Sequence, residues 1–355
     1  MRCFKGIICI AITILLFAPT AGYSADMIYA TGYVENHDSA GIGAKKWFAK
    51  VKEVTNGRVN IKGTYGGALL KPDEVLDGLQ NKVADFGYVL FGQHPGKLPM
   101  TVSLSTLVDL KRGSRIDTRV IYAMTMKLYS EFLVKEFGAL NVKPLIYSCP
   151  QPYVLVSKTP VRTLNDMKGL KVRTFGQSLL TMVKAAGAVP VAMSFSELYT
   201  SLSTGVVQGA ITDPGAIFTG KLHEAAPHLT IFGSKGGAPV SFASVGILVN
   251  LDNWNSKISK ADQAAIEKMT PEFMMSADWE GWLKNRAKER LEDIRKAGAK
   301  IYVLPDDEVL KWANLCPDFL GVAGQDLDKK GLPGTKLVER WKELADDHIS
   351  GKWNP

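Results

Sequence analysis

Residues 194–212 read SFSELYTSLSTGVVQGAIT. Ser194 and Glu197 stand at capping-box spacing, where the serine hydroxyl and the glutamate carboxylate each satisfy an amide at the start of a helix. Leu198, Leu202 and Val206 follow at one-turn intervals, and Gly209–Thr212 reads as the next short strand. The same unit occurs earlier: Val75, Leu76, Leu79 and Val83 lie on one helical face, and Asp85–Leu90 is the strand after it. Shifted by 123 residues without gaps, Glu74, Leu79, Val83 and Val89 fall on Glu197, Leu202, Val206 and Thr212. Further upstream, Met27–Tyr33 is a short apolar strand. Ser39 is placed to cap a helix with the stripe Trp47, Phe48, Val51 and Val54, Gly57 to end it in the left-handed conformation, and Arg58–Lys62 to form another strand. Strand–helix–strand units in succession imply α/β sheets with parallel strands, here in two lobes of similar build.

Between these units, Lys143–Ser157 is apolar and carries Pro144, Pro150 and Pro152, which suits an extended crossover better than a helix. Ser259–Lys300 reads as helix with a turn near Thr270-Pro271. The part after Pro271 carries Phe273, Met274, Trp279, Trp282, Leu283, Leu291 and Ile294. A helix of about 25 residues spans ~37 Å, enough to cross two lobes. From Asp326 onward the chain is charged and reads as a peripheral helix and tail.

The chain has 355 residues, 46% of them hydrophobic and 22% charged, with a mean hydropathy of +0.01, which leaves no room for a multi-span membrane protein. Arg2 and Lys5 precede an apolar run from Gly6 to Ala18, followed by small residues up to Ala25. That is the pattern of a cleavable secretory signal, and the run is short for a membrane span. Cleavage after Ala25, or nearer Gly22, removes Arg2 and Lys5 and takes the formal charge from +8 to +6. It also leaves Cys149 and Cys316 as the only thiols, free to pair or to be buried separately.

The motifs of common enzyme chemistry are missing. His223 and His228 are five residues apart with Pro227 between them, so they do not share the helix face that a zinc-protease motif needs. Gly41-Ile42-Gly43-Ala44 lacks the preceding strand and third glycine of a dinucleotide fingerprint. There is no phosphate-binding loop and no nucleophile elbow. No cofactor or metal is expected, and the lysines are spread along helices instead of forming a nucleic-acid groove. A secreted two-lobed chain without catalytic motifs reads as a binder that closes over a solute, not as an enzyme.

The residues from Thr163 to Arg173 (TLNDMKGLKVR), Gly187 to Tyr199 (GAVPVAMSFSELY) and Leu202 to Gly209 (LSTGVVQG) closely resemble the solute-binding proteins of tripartite ATP-independent periplasmic (TRAP) transporters, the DctP family. Trp47 through Gly57-Arg58, Tyr65-Gly66-Gly67 and Ala84-Asp85 extend the resemblance over nearly all of the mature chain. It implies a type II-like periplasmic binding fold: two α/β lobes joined by hinge strands, with one long helix crossing both. Expected boundaries are 1–25 for the signal, 26–150 plus about 238–278 for lobe I, 151–237 plus about 279–335 for lobe II, and 336–355 for a C-terminal helix and tail. It further implies a periplasmic protein that delivers an organic acid to the small and large membrane subunits of an ion-gradient-driven permease. A sensing system fed by the same kind of receptor is the first alternative, and a periplasmic α/β enzyme the second.

In the family pattern the arginine ending KGLKVR, here Arg173, binds the ligand carboxylate, for which guanidinium offers two parallel charge-assisted donors. Phe195 matches the family aromatic. Tyr153 stands where many sugar-acid binders carry a second arginine, and Leu90 where sialic-acid binders carry a glutamate. Thr212 and Asp213 share the place of the family's asparagine. Tyr33, Tyr65, Tyr88, Phe91 and Phe175 lie at loop or strand-end positions able to face a cleft. The set points to a monocarboxylate with an apolar or aromatic body, with Asp213 available to an amine or hydroxyl.

Overall fold

The computed structural model describes residues 25–105, 112, 116, 118–148, 153–174, 177–193, 195–233 and 245–355. Its strands are β1 (Ala25–Ala30), β2 (Val59–Thr64), β3 (Phe86–Leu90), β4 (Val142–Ser148), β5 (Val154–Ser157), β6 (Lys171–Thr174), β7 (Val189–Ala192), β8 (Gly209–Thr212), β9 (His228–Phe232), β10 (Val245–Asn250) and β11 (Lys300–Leu304). They form two sheets, one ordered β2-β1-β3-β10-β4 and the other β11-β9-β5-β8-β6-β7. The two orders correspond: β1, β2 and β3 occupy in the first sheet the places of β6, β7 and β8 in the second. The similar build read from the two helix–strand units is therefore a shared topology.

Parallel pairing holds for β1 with β2 and β3, for β6 with β7 and β8, and for β11 with β9. It fails for β10, antiparallel to β3 and β4, and for β5, antiparallel to β8 and β9. The reason is connectivity. β4 and β5 are consecutive but belong to different sheets, as do β9 and β10, so β5 and β10 each enter a sheet from the other lobe. Buried on both faces, β10 is a continuous apolar run apart from Gly246 and Asn250. Gly246 is required there, since a Cβ would lie 2.6 Å from the Phe91 ring and 2.7 Å from the Ile146 carbonyl. Asn250 donates to the Leu79 carbonyl and accepts from the Asn253 amide, tying the strand end to the helices beside it.

The third link between the lobes is the helix Ala277–Lys296. Trp279 and Leu283 pack in the core around Tyr29, Trp47 and Ile247, whereas Ile294 and Leu291 pack with Val154, Val156 and Leu229 of the second lobe. Its start differs from the sequence expectation. Pro271 lies inside the preceding helix, Lys260–Met275, and the break comes at Ser276. The Ser276 hydroxyl accepts from the Trp279 amide, while Thr270, bonded to the Ile266 carbonyl and the Trp47 indole, holds the turn around Pro271 in place. The helix after Gly43 likewise starts differently: its entry is a π-helical turn, Asp38–Gly43, capped by His37 instead of Ser39. Gly57 has a φ of 77°, as its position past the helix end requires.

The chain leaves the second lobe earlier than residue 335. Phe319 packs with Phe232 and Trp312, but Leu320 and Leu327 already pack with the first lobe. The last helix, Gly334–Ile349, is not peripheral: Leu337, Val338, Trp341, Leu344 and Ala345 lie in the core with Met100, Leu104 and Phe137. Its charges occupy the opposite face, where Arg340 pairs with Glu131 and Asp346 with Arg112. Residues 1–24, Cys149, Phe175 and Ser194 lie outside the described residues, and with them the signal segment, the Cys149–Cys316 pairing and the serine half of the capping box. Cys316 is a half-buried free thiol.

Candidate functional site

A cavity of about 310 Å³ lies where carboxyl ends of strands from both sheets meet. Leu90 closes β3, Arg173 is the penultimate residue of β6, and Thr212 closes β8, followed directly by Asp213. Open α/β sheets hold ligands at this end because the strands stop there and the loops and helix starts converge. The site residues expected from sequence line the cavity except Tyr65, Phe91 and Phe175, the last of which lies outside the described residues. Phe91 is fully buried against Phe137 and Tyr147, and Tyr65 packs beside Tyr29 under the Lys45 ammonium.

Arg173 reaches the cavity from the floor of the second lobe and is only 5% exposed. Its Nε donates to the Met193 carbonyl at 3.2 Å, and its guanidinium carbon sits 6.0 Å from the centre of the Phe195 ring. Burial pulls its pKa down, with Tyr33 and Tyr153 opposing that shift. Arginine titrates so far above neutrality that it keeps its charge.

The wall from the first lobe is aromatic. Tyr33 and Tyr88 meet edge to face at 5.8 Å, and the His37 ring lies 4.3 Å from Tyr33. Burial raises both phenols, so they remain neutral at physiological pH. Thr212 and Asp213 both line the cavity. Asp213 also caps the helix Pro214–Thr219, its Oδ1 accepting from the Ala216 amide at 2.9 Å. Burial pushes its pKa up, against the opposing pull of His37 and of the helix-start amide.

His37, Gln93, Met193 and Val245 are lining residues that the sequence reading missed. Gln93 follows Leu90 in a single 3-10 turn, and Val245 opens the crossover strand β10. For His37 a signal was present in its position just after the first strand, beside Tyr33. It is 4% exposed, and burial lowers its pKa. Its Nδ1 accepts from the Ala40 amide at 3.2 Å, which places the proton of the neutral ring on Nε2.

Directly behind His37 lies Asp38, 2% exposed. Arg290 grips its carboxylate through Nε and Nη2 at 2.9–3.2 Å, and Arg286 adds bonds at 2.8 and 3.2 Å. Both arginines belong to the crossing helix, and Arg290 also stacks on Phe218 of the second lobe at 4.5 Å. A Cβ on Gly215 would lie 2.7 Å from Asp38 Oδ2. The two lobes therefore touch through Asp38 and the helix that Asp213 caps.

Two lobes of matching topology, linked by crossover strands and a long helix and enclosing a cavity at their strand ends, define a receptor that holds a small solute between its lobes. The model of the bacterial extracellular solute-binding proteins, family 7 (DctP), matches residues 31–316, and the chain belongs to that family. Its relatives are TRAP solute-binding proteins, which are periplasmic receptors and not enzymes. The chain is 27% identical over 277 residues to the C4-dicarboxylate-binding periplasmic protein DctP of Rhodobacter capsulatus, covering 77% of this chain and 78% of that one. A TRAP solute-binding protein of Rhodoferax ferrireducens, solved with copurified benzoate, superposes with a TM-score of 0.77 at 18% identity, covering 93% of this chain and 100% of that one. A marine metagenome TRAP protein described as specific for aromatic acids, solved with meta-hydroxyphenylacetate, gives a TM-score of 0.76 at 20% identity, covering 91% and 99%.

Proposed function

We propose that the protein captures a monocarboxylate with an aromatic or apolar body and delivers it to the small and large membrane subunits of a TRAP permease. The observation that carries this reading is one buried guanidinium, Arg173, in a cavity whose largest walls are Tyr33, Tyr88, Tyr153, Phe195 and Leu90, with His37, Gln93, Thr212 and Asp213 as its other polar groups. A carboxylate on Arg173 gains charge-assisted bonds away from water, and the ring of the solute replaces water against aromatic faces. The volume is at the lower end of the usual 300–1,000 Å³ for ligand pockets, which suits a single-ring acid. Leu90 and Tyr153 place an apolar and an aromatic side chain where sugar-acid receptors of the resembled family carry charged ones, which disfavours a densely hydroxylated acid. The aromatic acids held by two of the structural relatives accord with this reading.

Periplasmic delivery requires removal of the leader. β1 opens at Ala25, whose amide donates to the Arg58 carbonyl at 2.8 Å, so a cut nearer Gly22 keeps the whole strand and a cut after Ala25 removes its first pairing. Among the described residues no helix is long and apolar enough to cross a membrane. Calorimetric titration with benzoate, phenylacetate, C4-dicarboxylates and hexuronates tests the solute class. Binding of the ring acids is expected; binding of only the dicarboxylates or hexuronates overturns the reading.

A further inference from the structure

His37 and Asp213 come from different lobes and line the same cavity, next to the point where the lobes touch. Each has part of its hydrogen-bonding capacity already committed. His37 Nδ1 accepts from Ala40, so the ring presents Nε2–H as a donor. Asp213 accepts the Ala216 amide on Oδ1 and retains acceptor capacity on its carboxylate. Among the described residues no hydrogen bond joins His37 to Asp213. Asp38 does not compete for His37, because its two oxygens are held by Arg286 and Arg290.

We infer that His37 and Asp213 together form a subsite for a hydroxyl group of the solute, making the cargo a hydroxy-substituted monocarboxylate. A group placed between them must accept from His37 and donate to Asp213. A hydroxyl does both through one atom, whereas a carbonyl only accepts, an ammonium only donates, and a second carboxylate is repelled by Asp213. Tyr33 and Tyr88, which meet edge to face beside this pair, supply aromatic surface for the ring that would carry the hydroxyl. A solute without it leaves a buried donor and acceptor unmatched, which is how binding sites discriminate by more than a methylene's worth of contact.

The inference rests on Arg173 anchoring the carboxylate, and the experiment separates the two. Calorimetry on the mature protein compares benzoate with 2-, 3- and 4-hydroxybenzoate, phenylacetate with its hydroxy derivatives, and 3-(aminomethyl)benzoate. At least one hydroxy acid should bind about 10- to 100-fold tighter than its parent. In His37→Asn, whose side-chain oxygen can still cap Ala40, the ratio between the affinities of the hydroxy acid and its parent should fall towards one. Asp213→Asn, which preserves the helix cap, provides a second variant should the first not fold. Equal binding of hydroxylated and parent acids, a preference that persists in both variants, or tightest binding of the aminomethyl acid each overturns the subsite and leaves the Arg173 anchor standing. Failure of every acid overturns the anchor, and the subsite with it.

Discussion

Arg173→Met separates solute binding from folding. In the unliganded protein the guanidinium is buried and its charge is disfavoured by desolvation, so a methionine of comparable length removes a cost as well as a contact. The hydrogen bond to Met193 is lost, and its acceptor is a backbone carbonyl that a water in the cavity can satisfy. The melting temperature of the apo protein is therefore expected to stay within about 2 °C of the wild type or to rise. The bound state behaves differently. Truncating one partner of a desolvated, hydrogen-bonded charge pair costs about 2–5 kcal/mol, which is roughly 30- to 4,000-fold in Kd. At 100 times the wild-type Kd a solute stabilises by about 2.7 kcal/mol, a shift of roughly 5 °C at about 2 °C per kcal/mol. The variant should keep no more than about 2 °C of that shift at the same concentration, and almost none at the upper end of the range. Thermal denaturation with and without benzoate reads both quantities in one plate, and calorimetry supplies the affinity. Unchanged affinity refutes the anchor; collapse of the apo fold shows that Arg173 is structural.

Three further outcomes follow from neighbouring residues. Asp38→Ala strips the shared carboxylate from Arg286 and from the buried Arg290, leaving them Glu289 and a longer pair with Asp293, so the cost should lie near the lower end, about 3 kcal/mol, of breaking a buried pair; a loss under about 1 kcal/mol in denaturant titration would show that the triad adds nothing. Asp213→Asn should stabilise the apo protein at pH 7. A carboxyl whose pKa is raised by folding binds its proton more tightly in the native state, so it is neutral with regard to pH below the unfolded value and costs stability as pH rises through the window up to the folded value. The gain from the variant should thus be larger at neutral pH than near about pH 4, fading on acidification, and a gain independent of pH contradicts the shift. Gly215→Ala places a methyl 2.7 Å from the clamped Asp38 carboxylate and should weaken benzoate binding while leaving each lobe folded; small-angle scattering should show a larger radius of gyration for the liganded variant than for the liganded wild type, and equal radii would show that the lobes close without this contact.

Legibility in the sequence followed the range of the interactions. Helix stripes and strand alternation report local burial, so Trp47, Phe48 and Val51 on one helix and Gly209–Thr212 as a strand were readable from spacing alone. The direction of β5 and β10 was not, because it depends on which sheet a strand enters after leaving the other lobe. The break at Ser276 was misread for a related reason: proline weakens a helix in general, but the tertiary bond from Trp47 to Thr270 supports this particular turn. At the site, Arg173, Phe195, Thr212 and Asp213 sit in or beside the motif and were found through it. Tyr33 and Tyr88 were found through loop or strand-end position, and Leu90 and Tyr153 through comparison with the family pattern. His37 escaped because a lone histidine carries no spacing signal, and its place in the wall is set by a cap to Ala40 within a π-helical turn.

That turn explains why solute recognition and lobe contact are inseparable in this molecule. His37 and Asp38 are consecutive, yet the first lines the cavity while the second is gripped by the crossing helix. On the facing lobe, Asp213 lines the cavity and Gly215, two residues on, abuts Asp38. Movement of one lobe by an ångström at the Asp38–Gly215 contact must therefore displace the solute-facing pair by a similar amount, since rigid elements carry both. A solute can favour the closed arrangement only by interacting better with it than with the open one. On the proposed reading, Arg173 and Phe195 belong to one lobe and can hold a carboxylate and a ring in either arrangement. The groups that would distinguish the two arrangements are those lining the cavity from opposite lobes, His37 with Tyr33 on one side and Asp213 on the other. On the same reading, affinity resides chiefly in Arg173, and the signal that a solute is present in the pair across the cleft.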